Sequence, residues 1–342
     1  MDQLKRLIPR LSGMTISLLG LSVLVFTISR VLPGNPARMA LGARASDEQV
    51  ARLASEMGLN KPLAAQYLEY ISGLLVGDLG LSLQTRNPVL EDIIFKLPAT
   101  LELITLSLVL MIVIGIPLGV IAARNRGGLL DNMTRVFAFS AVSVPSFFIA
   151  IVLQVIFGFY LDLFPITGRL SLKYSQTITR ETGFMLIDTL LAGSVAAHAN
   201  AWAHLILPAL ALSFGGMGQI IRITRSSMVD IEGKDFIEAS HGFGLPRWLV
   251  VYKYSLKNAF IPTLTIIGLL YAWLLGGAFI IEIVFGWPGL AKYGVQSVLT
   301  TDVNALVGVT MTIGLMFVLT NFIVDVILDR IDPRIQLAGD AT

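Results

Sequence analysis

Three stretches of this chain, Leu103 to Ala123, Val136 to Leu161 and Val303 to Val324, run without a single charged residue. At about 1.5 Å of rise per residue, each is long enough to cross a hydrocarbon layer roughly 30 Å thick as a helix. A backbone in lipid must satisfy its own polar groups, so such runs fold as helices and not as loops. Composition agrees: of 342 residues, 55% are apolar and only 14% charged, where a soluble domain carries about 25% charged residues. A soluble enzyme and a disordered chain are excluded.

Six segments meet the length and apolarity test, approximately 11–31, 99–123, 136–161, 204–221, 261–282 and 303–328. The fourth is the shortest. A seventh candidate, Phe184 to Ala197, is interrupted by Asp188 and reads as an interfacial or loop helix. An even count puts both termini on one side, and the basic residues say which. Lys5, Arg6 and Arg10 precede the first span, Arg124, Arg126 and Arg135 fill the second connection, and Arg222, Arg225, Lys234, Arg247, Lys253 and Lys257 crowd the fourth. By the positive-inside rule these segments, and both termini, are expected to be cytoplasmic. The first span is expected to stay uncleaved, because Arg30, Leu32 and Pro33 stand where a signal peptide would carry small residues.

The chain has no cysteine, which removes disulfides, thiolate nucleophiles and cysteine-bound metals together. His198, His204 and His241 are too few and too separated for an obvious metal site, so neither metal nor cofactor is expected. A net charge of +2 gives no reason to expect nucleic acid. There is no Gly-x-Ser-x-Gly elbow for a serine hydrolase and no Gly-rich phosphate loop for ATP. Any energy for transport must therefore come from a partner or a gradient.

Two connections carry pattern. In the segment from Pro33 to Leu97, Ser46-Asp47-Glu48-Gln49 is a helix start, Val50, Leu53 and Met57 follow at helical spacing, and Gly58 is the stop. A second helix is predicted from Pro62 to about Leu75. This cap either packs on the helix ends or docks a soluble partner. The connection from 222 to 260 predicts a short helix from Asp235 to Phe243, a left-handed turn at Gly244, and a new helix after Pro246. Such a unit either lies on the lipid headgroups or forms a rigid knob that fits a cytoplasmic protein and passes its motion to the spans.

At these residues the sequence resembles the permeases of ATP-binding-cassette importers. Glu238-Ala239-Ser240, then Gly244, then Ile261-Pro262 is similar to their EAA loop, with the spacing of the dipeptide, oligopeptide and nickel group. Other landmarks follow in order: Leu32-Pro33-Gly34-Asn35-Pro36, Gly58 to Leu63 with Gln66-Tyr67, Gly77-Asp78-Leu79-Gly80, Leu97 to Leu103, Glu282 to Phe285, Trp287-Pro288-Gly289-Leu290, and Asp332-Pro333-Arg334. The departures are Ser240 in the third EAA place, His241 and Phe243 where basic residues are common, and a long stretch from Arg169 to Trp202.

The resemblance implies an all-α, six-span permease of the type I importer fold in a bacterial inner membrane. It would pair with a second, homologous permease as a heterodimer, with two cytoplasmic ATPases and with an extracytoplasmic solute-binding protein, amid membrane lipid. The implied layout is an N-terminal segment and first span over 1–32, an extracytoplasmic helical cap over 33–98, a permease core over 99–335 and a tail over 336–342. Asp235, Glu238, Ala239, Ser240 and Gly244 are the implied ATPase-coupling residues, and short peptides the implied cargo. The alternative is a secondary carrier or channel acting alone.

Within the spans, Glu102, Glu282 and Asp325 lie near helix ends, where they can be solvated or paired. Pro117, Pro145, Pro208 and Pro262 permit kinks. Ser143, Ser146, Gln154 and Asn321 are the polar groups best placed by sequence to line a passage.

Overall fold

The computed structural model describes residues 2–31, 36–41, 45–56 and 58–331. Leu32 to Asn35, Met57, Asp332-Pro333-Arg334 and the 336–342 tail lie outside the described residues. In chain order the helices are α1 (Asp2–Val31), α2 (Pro36–Leu41), α3 (Asp47–Glu56), α4 (Leu63–Leu75), α5 (Val89–Arg124), α6 (Leu129–Ser143) and α7 (Ser146–Leu153, extended by π-helical turns over Gln154–Tyr160). There follow α8 (Leu172–Ser175), α9 (Met185–Leu191), α10 (Val195–Glu232), α11 (Asp235–Gly242) and α12 (Arg247–Leu249). A π-helical stretch over Val250–Ser255 leads into α13 (Leu256–Val284), and α14 (Leu290–Leu299) and α15 (Val303–Ile331) complete the fold. Among the described residues there is no strand, only an isolated bridge between Leu81 and Pro88.

Among the described residues, five helices are long and apolar enough to cross a membrane, and a bent pair counted as one span brings the number to six. The bent pair corrects the expected continuous span over 136–161. Although that run is free of charge, it breaks into Leu129–Ser143 and Ser146–Tyr160, bent by 106°. Proline disfavours helical backbone in the residue before it and lacks an N–H of its own. Val144 is accordingly extended (φ −86°, ψ 127°), and Pro145 starts the second piece.

The other surprise runs the opposite way. Hydropathy made 204–221 the weakest span, yet α10 is among the longest helices, and 72% of its most apolar window is buried, against 17% for α1. Its glycines and alanines lower hydropathy but permit close packing. A Cβ on Gly218 would sit 2.6 Å from the Ala138 carbonyl oxygen, and one on Gly119 of α5 would sit 2.7 Å from Thr224 Cβ. Pro208 lies inside α10 without ending it.

By packing, the chain divides into two units, Met1–Pro98 with Pro288–Leu319, and Ala99–Trp287 with Thr320–Thr342. The core of the first holds Val89, Ile93, Leu290, Tyr293, Ala305 and Val309. Its polar ties are equally long-range: Ser82 Oγ donates to Asp302 (2.6 Å), which also caps α15 through Ala305 N (3.1 Å), and Tyr293 donates to Asp92 (3.0 Å). In α3, Ser46 and Gln49 form the expected reciprocal cap. The second unit packs α6, α7, α9 and α13 against α10.

Candidate functional site

α10 runs to Glu232, and Gly233 with extended Lys234 joins it to α11 (φ −93°, ψ 142° at Lys234). Asp235 and Glu238 stand in the first turn of α11, where the helix dipole favours negative charge. Ile237 and Ser240 are buried, and Ser240 Oγ donates to the Phe236 carbonyl at 2.7 Å. The opposite face offers Asp235, Glu238 and Ala239 to the surroundings.

The turn is built around Gly244, with φ +71°. Nothing lies within 4 Å of where its Cβ would sit, so the left-handed backbone, and not crowding, requires glycine. Leu245 N closes back on the Ser240 carbonyl at 3.3 Å and Gly244 N on that of His241 at 2.9 Å. Pro246 then leads into Arg247, and the helix continues to Val284 with Pro262 inside it. Ile261-Pro262 thus lies within one long helix.

α11 is consequently slung between two long apolar helices with two residues on one side and four on the other. Just above it, Met228 of α10 and Ala259 of α13 pack with Val120 and Ala123 of α5, and Thr224 and Thr263 approach to 3.2 Å. α11 is thus joined through short connections to both long helices. Around it the chain exposes Phe236 (43%), Trp248 (64%) and Phe243 (86%), mixed with Asp235, Glu238 and Arg247. Apolar side chains among charges in this way suit a surface covered by a partner protein or by lipid headgroups.

The other end of α10 is closed on itself. Buried Glu102 pairs with buried Arg169 and accepts from Leu186 N at 2.8 Å. The Arg169 guanidinium also lies 5.4 Å from the centre of the Trp287 ring, whose indole N–H donates to the Ala99 carbonyl at 2.9 Å. Glu282, fully buried, accepts from Thr100 Oγ1. Asp188, which interrupts the seventh apolar stretch, is buried and accepts from Thr182 and Gly183, anchoring α9. His198 accepts from Trp202 Nε1 at 3.0 Å, and His204 sits 2.8 Å from the Asn200 carbonyl. The stretch from Arg169 to Trp202 is thus tied down by polar contacts.

Ser143 and Ser146 bracket the Pro145 break, Gln154 donates to the backbone carbonyls of Ile166 (2.7 Å) and Val284 (3.2 Å), and Asn321 is half-buried on α15. Sequence reasoning missed Asp131. It is fully buried and takes a bidentate hold on Arg225 of α10, at 2.5 and 2.7 Å, while accepting from Gly127 N. The one local signal was an acid in a first helical turn after Gly127-Gly128; its partner lies 94 positions away.

These features define a multi-pass helical membrane protein with a short helix presented between two of its long helices. Residues 115–337 match the family described as binding-protein-dependent transport system inner membrane component, and residues 3–104 match its N-terminal counterpart. The chain is 40% identical to the probable D,D-dipeptide transport system permease protein DdpB of Escherichia coli K12, over 96% of each chain. It is 36% identical to the dipeptide transport system permease protein DppB of the same organism, over 97% of this chain and 99% of that one. With the glutathione transport system permease protein GsiC of E. coli O6:H1 it shares 33% identity over 97% and 99%. The chain belongs to this family of binding-protein-dependent transport permeases. It is a multi-pass component of a bacterial inner membrane and a transport subunit of an ABC importer.

Proposed function

We propose that this chain forms half of a passage for dipeptides or similarly small solutes, handed over by a binding protein and driven by ATPases that grip α11. The observation that carries the coupling role is the geometry of Asp235–Gly242, a rigid helix closed by a left-handed Gly244 and fastened to α10 and α13. Glu238 offers its charge to the ATPase, Ala239 lets the surfaces approach, Asp235 and Ser240 fix the start and the inner face of the helix, and Gly244 sets its angle. ATP-driven closure of the ATPases would then swing the two long helices together. The peptide cargo rests on the names of the relatives at 36–40% identity. Pairing with a second homologous permease, both termini in the cytoplasm, and a passage touching Ser143, Ser146, Gln154 and Asn321 belong to the same proposal.

Purification of the tagged protein from its native membrane in mild detergent, with mass spectrometry of what accompanies it, tests the reading. The expected result is two ATPase subunits, a second permease and a solute-binding protein. Recovery of this chain alone, with solute flux that persists without ATP, would overturn it.

A further inference from the structure

Two cavities of the first unit follow one another along α1 and α15. One, of about 420 Å³, is lined by Phe26 and Ser29 of α1 and by Val303 and Asn304 of α15, and it is polar on its α4 side. The other, of about 350 Å³, is apolar, with Leu18 and Leu19 from α1, Leu74 from α4 and Leu315 from α15. Leu79 lines both. Along α1 the lining moves from residues 26–29 to 15–22, and along α15 from 303–307 to 308–315. At about 1.5 Å per residue, the two centres are separated by roughly 10–14 Å along the helix axes.

The polar cavity is rich in acceptors. Gln66 is 7% exposed, and its Nε2 donates to the Leu59 (3.1 Å) and Lys61 (2.8 Å) carbonyls. Those bonds fix the amide's orientation and leave its buried Oε1 with no donor among the described residues. Tyr70 Oη is equally buried and unpartnered. Burial, and then Tyr67, push the Tyr70 hydroxyl up to about 12, so it is neutral at pH 7. Two carboxylates line the same space: Asp78, one oxygen of which caps Gly80 N at 3.0 Å, and Glu69, which pairs with Lys61 at the exposed rim. Buried acceptors without donors are costly, and a ligand rich in N–H groups would relieve them. The Phe26 and Tyr70 rings, 5.7 Å apart, supply aromatic walls suited to a cation.

We propose that these cavities together bind an aminophospholipid, its primary ammonium among Gln66, Tyr70 and Asp78 and one acyl chain along Leu18, Leu19 and Leu315. Charge complementarity selects the ammonium, and the apolar cavity one head-to-chain length away selects an amphiphile over a soluble amine.

Native mass spectrometry of the full-length chain, alone and in its assembled transporter, tests this with phosphatidylethanolamine, phosphatidylcholine and phosphatidylglycerol of equal chain length. The ethanolamine lipid is expected to be retained about tenfold or more over the other two, since choline has no N–H and glycerol no charge. Asp78→Asn, which keeps the cap on Gly80, should cut that retention about tenfold, and Leu315→Trp, which fills the apolar cavity, should do the same. Tyr70→Phe removes a single oxygen and gives the same reading if Asp78→Asn fails to fold. Equal retention of all three lipids, retention unchanged in these variants, equal binding of chainless phosphoethanolamine, or loss of the lipid on assembly with a second permease would each overturn the proposal.

Discussion

The two ends of α10 are held by different physics. At the end near Val195, buried Glu102 pairs with Arg169, which lies against Trp287, while buried Asp188 accepts from Thr182 and Gly183 and buried Glu282 from Thr100, a knot of polar contacts. At the Glu232 end, α11 sets Phe236, Phe243 and Trp248 beside exposed charges. The first arrangement is held by contacts within the chain, and in the proposed coupling role the second is completed by an ATPase. The proposed coupling role uses this contrast: one end is held internally, and the other serves as a handle.

The largest effect should come from unbalancing the knot. Arg169→Met leaves Glu102 buried without its partner and is expected to cost about 3–5 kcal/mol, measured as a fall in melting temperature in detergent. Adding Glu102→Gln should recover more than half of that loss in a double-mutant cycle. If the single variant melts like the parent, the knot does not hold this end. Asp131→Asn should come next, at about 2–3 kcal/mol, because it weakens a bidentate, charge-assisted pair with Arg225; it tests whether the α6 contact is a second anchor of α10.

The handle end should respond more in function than in stability. Gly244→Val forces a β-branched residue into left-handed backbone, where strain costs about 1–3 kcal/mol. The protein is expected to remain in the membrane while ATP-driven uptake falls about tenfold or more; normal uptake would sink the coupling role. Phe243→Ser should be the mildest, within about 0.5 kcal/mol in stability, with less ATPase retained during purification. Loss of stability in Phe243→Ser with full ATPase retention would erase the contrast between the ends.

Much of the handle was legible because it depends on local rules. An acid-led helix, a glycine stop and a proline restart predicted Asp235–Phe243 and the turn at Gly244, and α11 ends one residue earlier with that turn in place. The knot was legible only as residues worth watching. Glu102 and Arg169 are 67 positions apart, and Asp131 and Arg225 are 94 apart, so no periodicity joins them. Hydropathy failed in two instructive places. It measures preference for lipid over water, so it undervalued α10, whose glycines and alanines face other helices, and it passed over the break at Pro145, which is a matter of backbone sterics and not polarity. Gln154 was a passage candidate by residue type alone, and no sequence signal showed that its Nε2 donates to two distant backbone carbonyls.

The central claim, that α11 is the surface gripped by an ATPase, can be tested directly because the chain has no cysteine. Ala239, exposed on α11, would be changed to cysteine and labelled in native membranes with a thiol-directed photo-crosslinker, and the adducts identified by mass spectrometry, with exposed Asn125→Cys as the comparison site. The account predicts a strong adduct between Ala239→Cys and an ATPase subunit, weakened when Gly244→Val is added. No ATPase adduct from Ala239→Cys, or one no stronger than from Asn125→Cys, would contradict it.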